Sequence, residues 1–104
     1  MSLMDAFLNE EVTVRPYARF GGGSIQYGEP YALACRMEPA PKTKTVYKNP
    51  DGSVVETAAS ALMFARGEEI PVNSEVRYGD RTMRVIQCSV MRSFGAHHLE
   101  VLLE

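Results

Sequence analysis

Along much of this chain apolar and polar residues trade places at every step, and that period of two is what most limits its fold. Residues two apart share a face of a strand, whereas a helix returns to one face only every three or four positions. In YALACRME, Tyr31, Leu33, Cys35 and Met37 alternate with Ala32, Ala34, Arg36 and Glu38. The terminal HHLEVLLE sets His97, Leu99, Val101 and Leu103 against His98, Glu100, Leu102 and Glu104, and the first row reads as core-facing. RTMRVIQCSVMRS alternates Met83, Val85, Gln87 and Ser89 with Arg84, Ile86, Cys88 and Val90. Both of its faces are partly apolar, as suits a long strand in a small closed barrel whose neighbours cover each side.

Turn signals punctuate these runs. Val12, Val14 and Pro16 form an opening strand, with Pro16 at an edge or bulge because it cannot donate to a ladder. GGGSIQYGEP marks a hairpin connection or flexible loop. NPDG is the strongest turn signal, Tyr78-Gly79-Asp80 another, and SFGA the last. Five to seven short strands and no convincing amphipathic helix predict an all-β fold, a small antiparallel β-barrel or sandwich. At 104 residues one domain spanning 1–104 is expected, with a long protruding hairpin at about 39–55. Two segments read differently. Met4, Phe7 and Leu8 have the spacing of a short helical turn. In ETAASALMFARG, alanine content and the capping-box spacing of Ser53 and Glu56 favour a helix over about 54–66. The alternation of Ala58, Ser60, Leu62 and Phe64 with Ala59, Ala61, Met63 and Ala65 favours a covered strand.

The residue inventory argues against chemistry. His97 and His98 are the only histidines, and as strand neighbours they project to opposite faces, so they cannot converge on one ion. His97 is expected as a structural imidazole at the edge of the core row, and His98, beside Glu100, as solvent-facing or at an interface. Cys35 and Cys88 lie 53 positions apart, without zinc-ligand spacing, and are expected as reduced, buried thiols. The glycines at 21, 22, 23 and 28 fit neither a Walker motif nor a dinucleotide fingerprint. No nucleophile elbow is present, and the acid pairs Glu10-Glu11 and Glu68-Glu69 fall where turns or strand ends solvate them. The expectation is no enzyme, no catalytic or metal residue and no cofactor. The longest apolar run, Ala61 to Ala65, is far short of the roughly 20 residues of a membrane-spanning helix. The N-terminus lacks the basic start and apolar stretch of an export signal, and no membrane partner is expected.

Charge is uneven within a chain of net charge -2. Between Arg36 and Lys48, four cations (Arg36, Lys42, Lys44 and Lys48) face Glu38 alone, with few large apolar residues to anchor the segment. A single-stranded nucleic-acid-binding barrel could use Tyr17, Phe20, Tyr27 and Tyr31 as stacking platforms, but the neutral-to-acidic balance opposes it.

The order of elements resembles the head-closure proteins of long-tailed double-stranded DNA bacteriophages and prophages, also called stoppers, head-tail connectors or minor capsid proteins. The resemblance runs from about Val12 to the end: TVRPYARFGGGSIQYGEPY, the CRME strand, a lysine-rich insertion, ETAASALMFARG, EVRYGDR and HHLEVLLE, with HHLEVLLE and the Arg77–Arg81 turn its most specific parts. It implies a small barrel with a long loop that assembles as a ring beneath the portal and its adaptor, closes the filled head and receives the tail-proximal proteins. It also implies that ALMFAR is a strand. The place implied is the virion neck, with the host cytoplasm before assembly and a monomer allowed in free solution. On that model Lys42, Lys44 and Lys48 lie in a loop that approaches packaged DNA in a channel or a neighbouring subunit. Another neck or tail component, such as a helical adaptor or a tail terminator, is the nearest alternative.

Overall fold

Ten strands account for the regular structure of the computed structural model, which describes residues 8–93 and 96–104. They are β1 (Glu10–Arg15), β2 (Tyr17–Gly21), β3 (Ser24–Tyr27), β4 (Tyr31–Pro39), β5 (Lys44–Lys48), β6 (Val54–Ala58), β7 (Ala61–Ala65), β8 (Glu75–Tyr78), β9 (Arg81–Ser93) and β10 (Ala96–Leu103). Six close into an antiparallel barrel in the order β1-β4-β7-β10-β9-β8, while β2–β3 and β5–β6 form separate two-stranded ribbons. The all-β expectation therefore holds, as a barrel rather than a sandwich. The helical turn expected around Met4 and Phe7, and the SFGA turn at Phe94 and Gly95, lie outside the described residues.

The alternation determines which side chains enter the barrel. Val12 and Val14 of β1, Cys35 of β4, Val76 of β8 and Leu99, Val101 and Leu103 of β10 are buried together. β7 supplies Ala61, Met63 and Ala65, so a long flexible side chain sits between two small ones, as a narrow barrel interior requires. Helix propensity in ETAASALMFARG is overridden because β7 pairs on both sides, with β4 and β10, and buries its inward row completely. The capping-box serine works elsewhere: Ser53 N–H and Oγ both donate to Asp51 Oδ1, at 2.9 and 2.7 Å, inside the turn between β5 and β6.

Three turns follow from their glycines. Gly22 and Gly23, at φ +61° and +81°, form the two-residue connection of β2 and β3, the geometry of a type I′ turn. Gly79, at φ +62°, begins the two-residue turn between Tyr78 and Arg81. In the β5–β6 turn, Gly52 at φ +94° donates to Asn49 O at 2.9 Å.

Simple alternation fails in β9. Its pairing with β10 steps from Leu102↔Gln87 to Leu103↔Val85, so Ile86 is an extra residue in a β-bulge. Beyond the bulge the phase reverses: Cys88, opposite the buried Val101, packs against the core, and Gln87 is exposed. The expected row Met83, Val85, Gln87, Ser89 is thus corrected after its second member. Ile86 is fully buried yet outside the central cluster, and β5, which packs across β9, is the element positioned to cover it.

Met63→Ala should lower stability by about 2–4 kcal/mol in urea titration, because its neighbours Ala61 and Ala65 offer nothing to fill the void. Leu62→Ala, at a half-buried position on the opposite face, should cost clearly less.

Candidate functional site

The β5–β6 hairpin runs from Lys44 to Ala58, and it is anchored. Alternation turns Thr45 and Tyr47 toward the barrel, where both are buried, and leaves Lys44, Val46 and Lys48 exposed on the other face. Tyr47 Oη donates to Glu104 Oε2 at 3.0 Å, and Thr57 Oγ1 lies 3.3 Å from Glu104 Oε1. Arg84 Nη1 donates to Asn49 Oδ1 at 3.0 Å, and Asn73 Nδ2 to Lys48 O at 2.9 Å. Large apolar anchors are few, as expected, and these four contacts, one of them made by the buried Tyr47 ring's hydroxyl, supply the rest. None was visible as a sequence pattern, because each joins residues far apart in the chain.

The outer face of the ribbon is mixed. Register places Lys44 opposite Ala58, Val46 opposite Glu56 and Lys48 opposite Val54, so two exposed valines stand among two lysines. Lys44 Nζ is 3.8 Å from Glu56 Oε1, an exposed pair of small energetic value. Lys42, just before β5, is also exposed. The three lysines are therefore brought to one ribbon and its root.

The histidines are not brought together around an ion. His97 is exposed, contrary to its expected place at the edge of the core row, because β10 extends past β7 at that end and only Leu99 to Leu103 lie over it. His98 is half-buried, with Nε2 3.0 Å from Glu100 Oε2 and its ring 6.0 Å from that of Phe64. Among the described residues no group of three His, Cys, Asp or Glu is placed to hold a metal ion, and no helix is long and apolar enough to cross a membrane.

Both cysteines are free, Cys35 buried and Cys88 half-buried. Burial pushes the Cys35 thiol up to about 11, with Glu10 and Glu11 nearby adding to the shift, so it is held as an unreactive thiol. Burial also raises Cys88, opposed by the Ile70 N–H that points at its sulfur from 3.5 Å.

Glu10 was expected to be a solvated surface acid, and the structure gives it a specific task. β4 pairs with β1 only from Tyr31 to Cys35, so the Met37 N–H has no β1 carbonyl to meet. Glu10 Oε2 accepts that N–H at 2.7 Å, and Oε1 accepts the Tyr78 hydroxyl at 2.6 Å. These two bonds, the Met37 one first, hold the carboxyl below its ordinary value of 4.5. One side chain thereby ties β1, β4 and β8 together.

The aromatics do not form a common platform. Tyr17 and Tyr27 face each other across the β2–β3 ribbon, and the Arg15 guanidinium covers the Tyr27 ring at 4.4 Å. Phe20 lies nearer the ribbon's turn, whereas Tyr31 opens β4 and lines a separate groove of about 410 Å³ with Pro16, Leu33, Pro71 and residues 66–69. A second hollow of about 340 Å³ runs beside Tyr27, Asn73 and Arg84. The buried Asn73, in the left-handed region at φ 79°, lines it, and its Oδ1 has no hydrogen-bond partner. The chain matches no protein-family model and no curated protein at a significant level.

Glu10→Gln should cost roughly 1–2 kcal/mol at neutral pH, because the bonds to a charged acceptor are lost. A carboxyl held low in the fold contributes stability above its unfolded value and loses it as pH falls through the folded one. The difference between wild type and variant in denaturant titrations should therefore shrink as pH drops below 4.5. In native protein at pH 8, a thiol reagent should leave Cys35 unmodified until denaturant is added, and Cys88 should react first.

Proposed function

We propose that this chain is a structural subunit of the neck of a long-tailed double-stranded DNA phage or prophage. On this reading a ring of copies beneath the portal and its adaptor closes the filled head and receives the tail-proximal proteins. The observation that carries the reading is a closed barrel bearing one anchored ribbon whose outward face combines lysines with exposed valines. That ribbon contains the lysine-rich segment on which the resemblance to head-closure proteins partly rests. A closed sheet has little free edge and resists deformation, which suits a wall element of a ring under pressure. The ribbon supplies a surface that several copies can present together.

The protein acts through shape and assembly, without catalysis, cofactor or membrane. Each copy contributes Lys42, Lys44 and Lys48, and a ring multiplies that charge, so its attraction for packaged DNA is additive and salt-sensitive. The virion neck is its place, after a period in the host cytoplasm as a free subunit.

Immunogold labelling of purified particles should put the protein at the head–tail junction. Label at the distal end of the tail tube would identify a tail terminator, and absence from particles would end the virion reading. Neutralising Lys42, Lys44 and Lys48 together should reduce DNA retention and infectivity at least tenfold while leaving the folded subunit intact by circular dichroism. Unchanged retention and infectivity would remove the lysines from the function. Titration with fluorescent single strands should show no strong binding by the isolated chain, and tight binding would instead favour a nucleic-acid-binding barrel.

A further inference from the structure

The outer face of the β5–β6 ribbon and the groove beside Tyr31 have complementary character. Val46 and Val54 are 61% and 66% exposed, more than any other large apolar residue among those described. They sit diagonally across the ribbon, flanked by Lys44 and Lys48. The groove is lined by the apolar Pro16, Tyr31, Leu33 and Pro71 and by the exposed Arg66, Glu68 and Glu69. Tyr31 itself is 40% exposed. Counting Lys42, Lys44 and Lys48 against Asp51 and Glu56 leaves the ribbon one positive charge in excess, with the lysines at its root and along β5 and Asp51 at its turn. Counting Glu68 and Glu69 against Arg66, which has an interaction of its own, leaves the groove one negative charge in excess. Each surface therefore offers an apolar centre with a charged border of opposite sign, the arrangement that steers and registers protein contacts.

These two surfaces do not satisfy each other within one subunit, because both are exposed. Tyr31 opens β4, and the hairpin leaves the barrel after Pro39 at its other end, a span of about 26 Å for eight strand steps. We infer that the lysine and valine face of the β5–β6 ribbon of one copy docks into the Tyr31–Leu33 groove of a second copy, with Lys42, Lys44 and Lys48 against Glu68 and Glu69.

Such a contact joins two different patches and is therefore heterologous: repeated, it closes into a ring or runs on as a filament. It rests on the neck reading for the ring, but not for the contact itself. Two five-residue strands present a face well short of the roughly 1,200 Å² that stable interfaces bury, so a single contact is weak. Closing a ring makes every contact simultaneous, and the assembly holds where a pair does not. The lysines then act first on a neighbour rather than on DNA, and a compensating charge change distinguishes those roles.

The test mixes tagged V46C copies with untagged Y31C copies, both in a C88S background, at high protein concentration and low salt, followed by oxidation. The mixed disulfide should exceed either homodimer several-fold and should fall sharply at 0.5 M salt. K42E/K44E/K48E in the tagged copy should abolish it, and E68K/E69K in the untagged copy should restore it. Absence of the mixed disulfide, homodimers of equal yield, or failure of the charge swap to restore the disulfide would each overturn the contact. All these substitutions lie on exposed side chains apart from C88S, which is common to every arm and exchanges one small side chain for another. Circular dichroism of each variant confirms that the barrel is retained. A mixed disulfide from a protein missing at the neck would remove the neck reading and leave the contact. Neck labelling with no mixed disulfide, in solution or in particles, would remove the contact and leave the neck reading.

Discussion

Cys35 is the residue at which β4 changes partners, paired to Glu10 of β1 on one side and Ala65 of β7 on the other. Everything before it in β4 is paired to β1, and everything after it to β7. This handover gives the six strands the stagger that closing a sheet requires, and it places the thiol at the centre of the apolar interior. It also strands the Met37 N–H, which would remain unsatisfied if Glu10 did not reach across. The same geometry thus produces the inert cysteine, the clasping carboxylate and the continuity of the barrel wall.

Closure limits where the molecule can meet a partner. With β1 paired to β8, most of the sheet edge is consumed, and the two ribbons become the distinctive surfaces. The β2–β3 ribbon spends part of its aromatic surface on itself and on Arg15, whereas the β5–β6 ribbon turns Thr45, Tyr47 and Val55 inward and keeps Val46, Val54, Lys44 and Lys48 outside. Tyr47, Arg84, Asn73 and Glu104 hold that ribbon at a defined angle. A ribbon held in this way loses little further freedom on docking.

Strands with one buried face could be read from the chain almost residue by residue. Leu99, Val101 and Leu103, or Val12 and Val14, needed only the period of two, since burial on one face imposes that pattern on any sequence that adopts it. Turns were legible where glycine meets a demand for positive φ, as at Gly22-Gly23 and at Gly52 of NPDG. The candidate site was half legible: alternation and the NPDG turn announced a hairpin and its lysines an exposed one, but its valines drew no notice until register set them diagonally on the outer face. His97 was misread because an apolar row in sequence does not reveal how far the neighbouring strand extends.

What the sequence determined by itself was local: alternation, turn positions and the absence of any closely spaced ligand or nucleophile motif, all properties of residues within a few positions of each other. Tertiary structure decided the rest. Whether ETAASALMFARG coils or extends, where β9 bulges at Ile86, and that Glu10 and Glu104 bind rather than sit in solvent all depend on partners tens of residues away. Those partners come within hydrogen-bonding or packing distance only when the barrel closes, so no local pattern carries their signature.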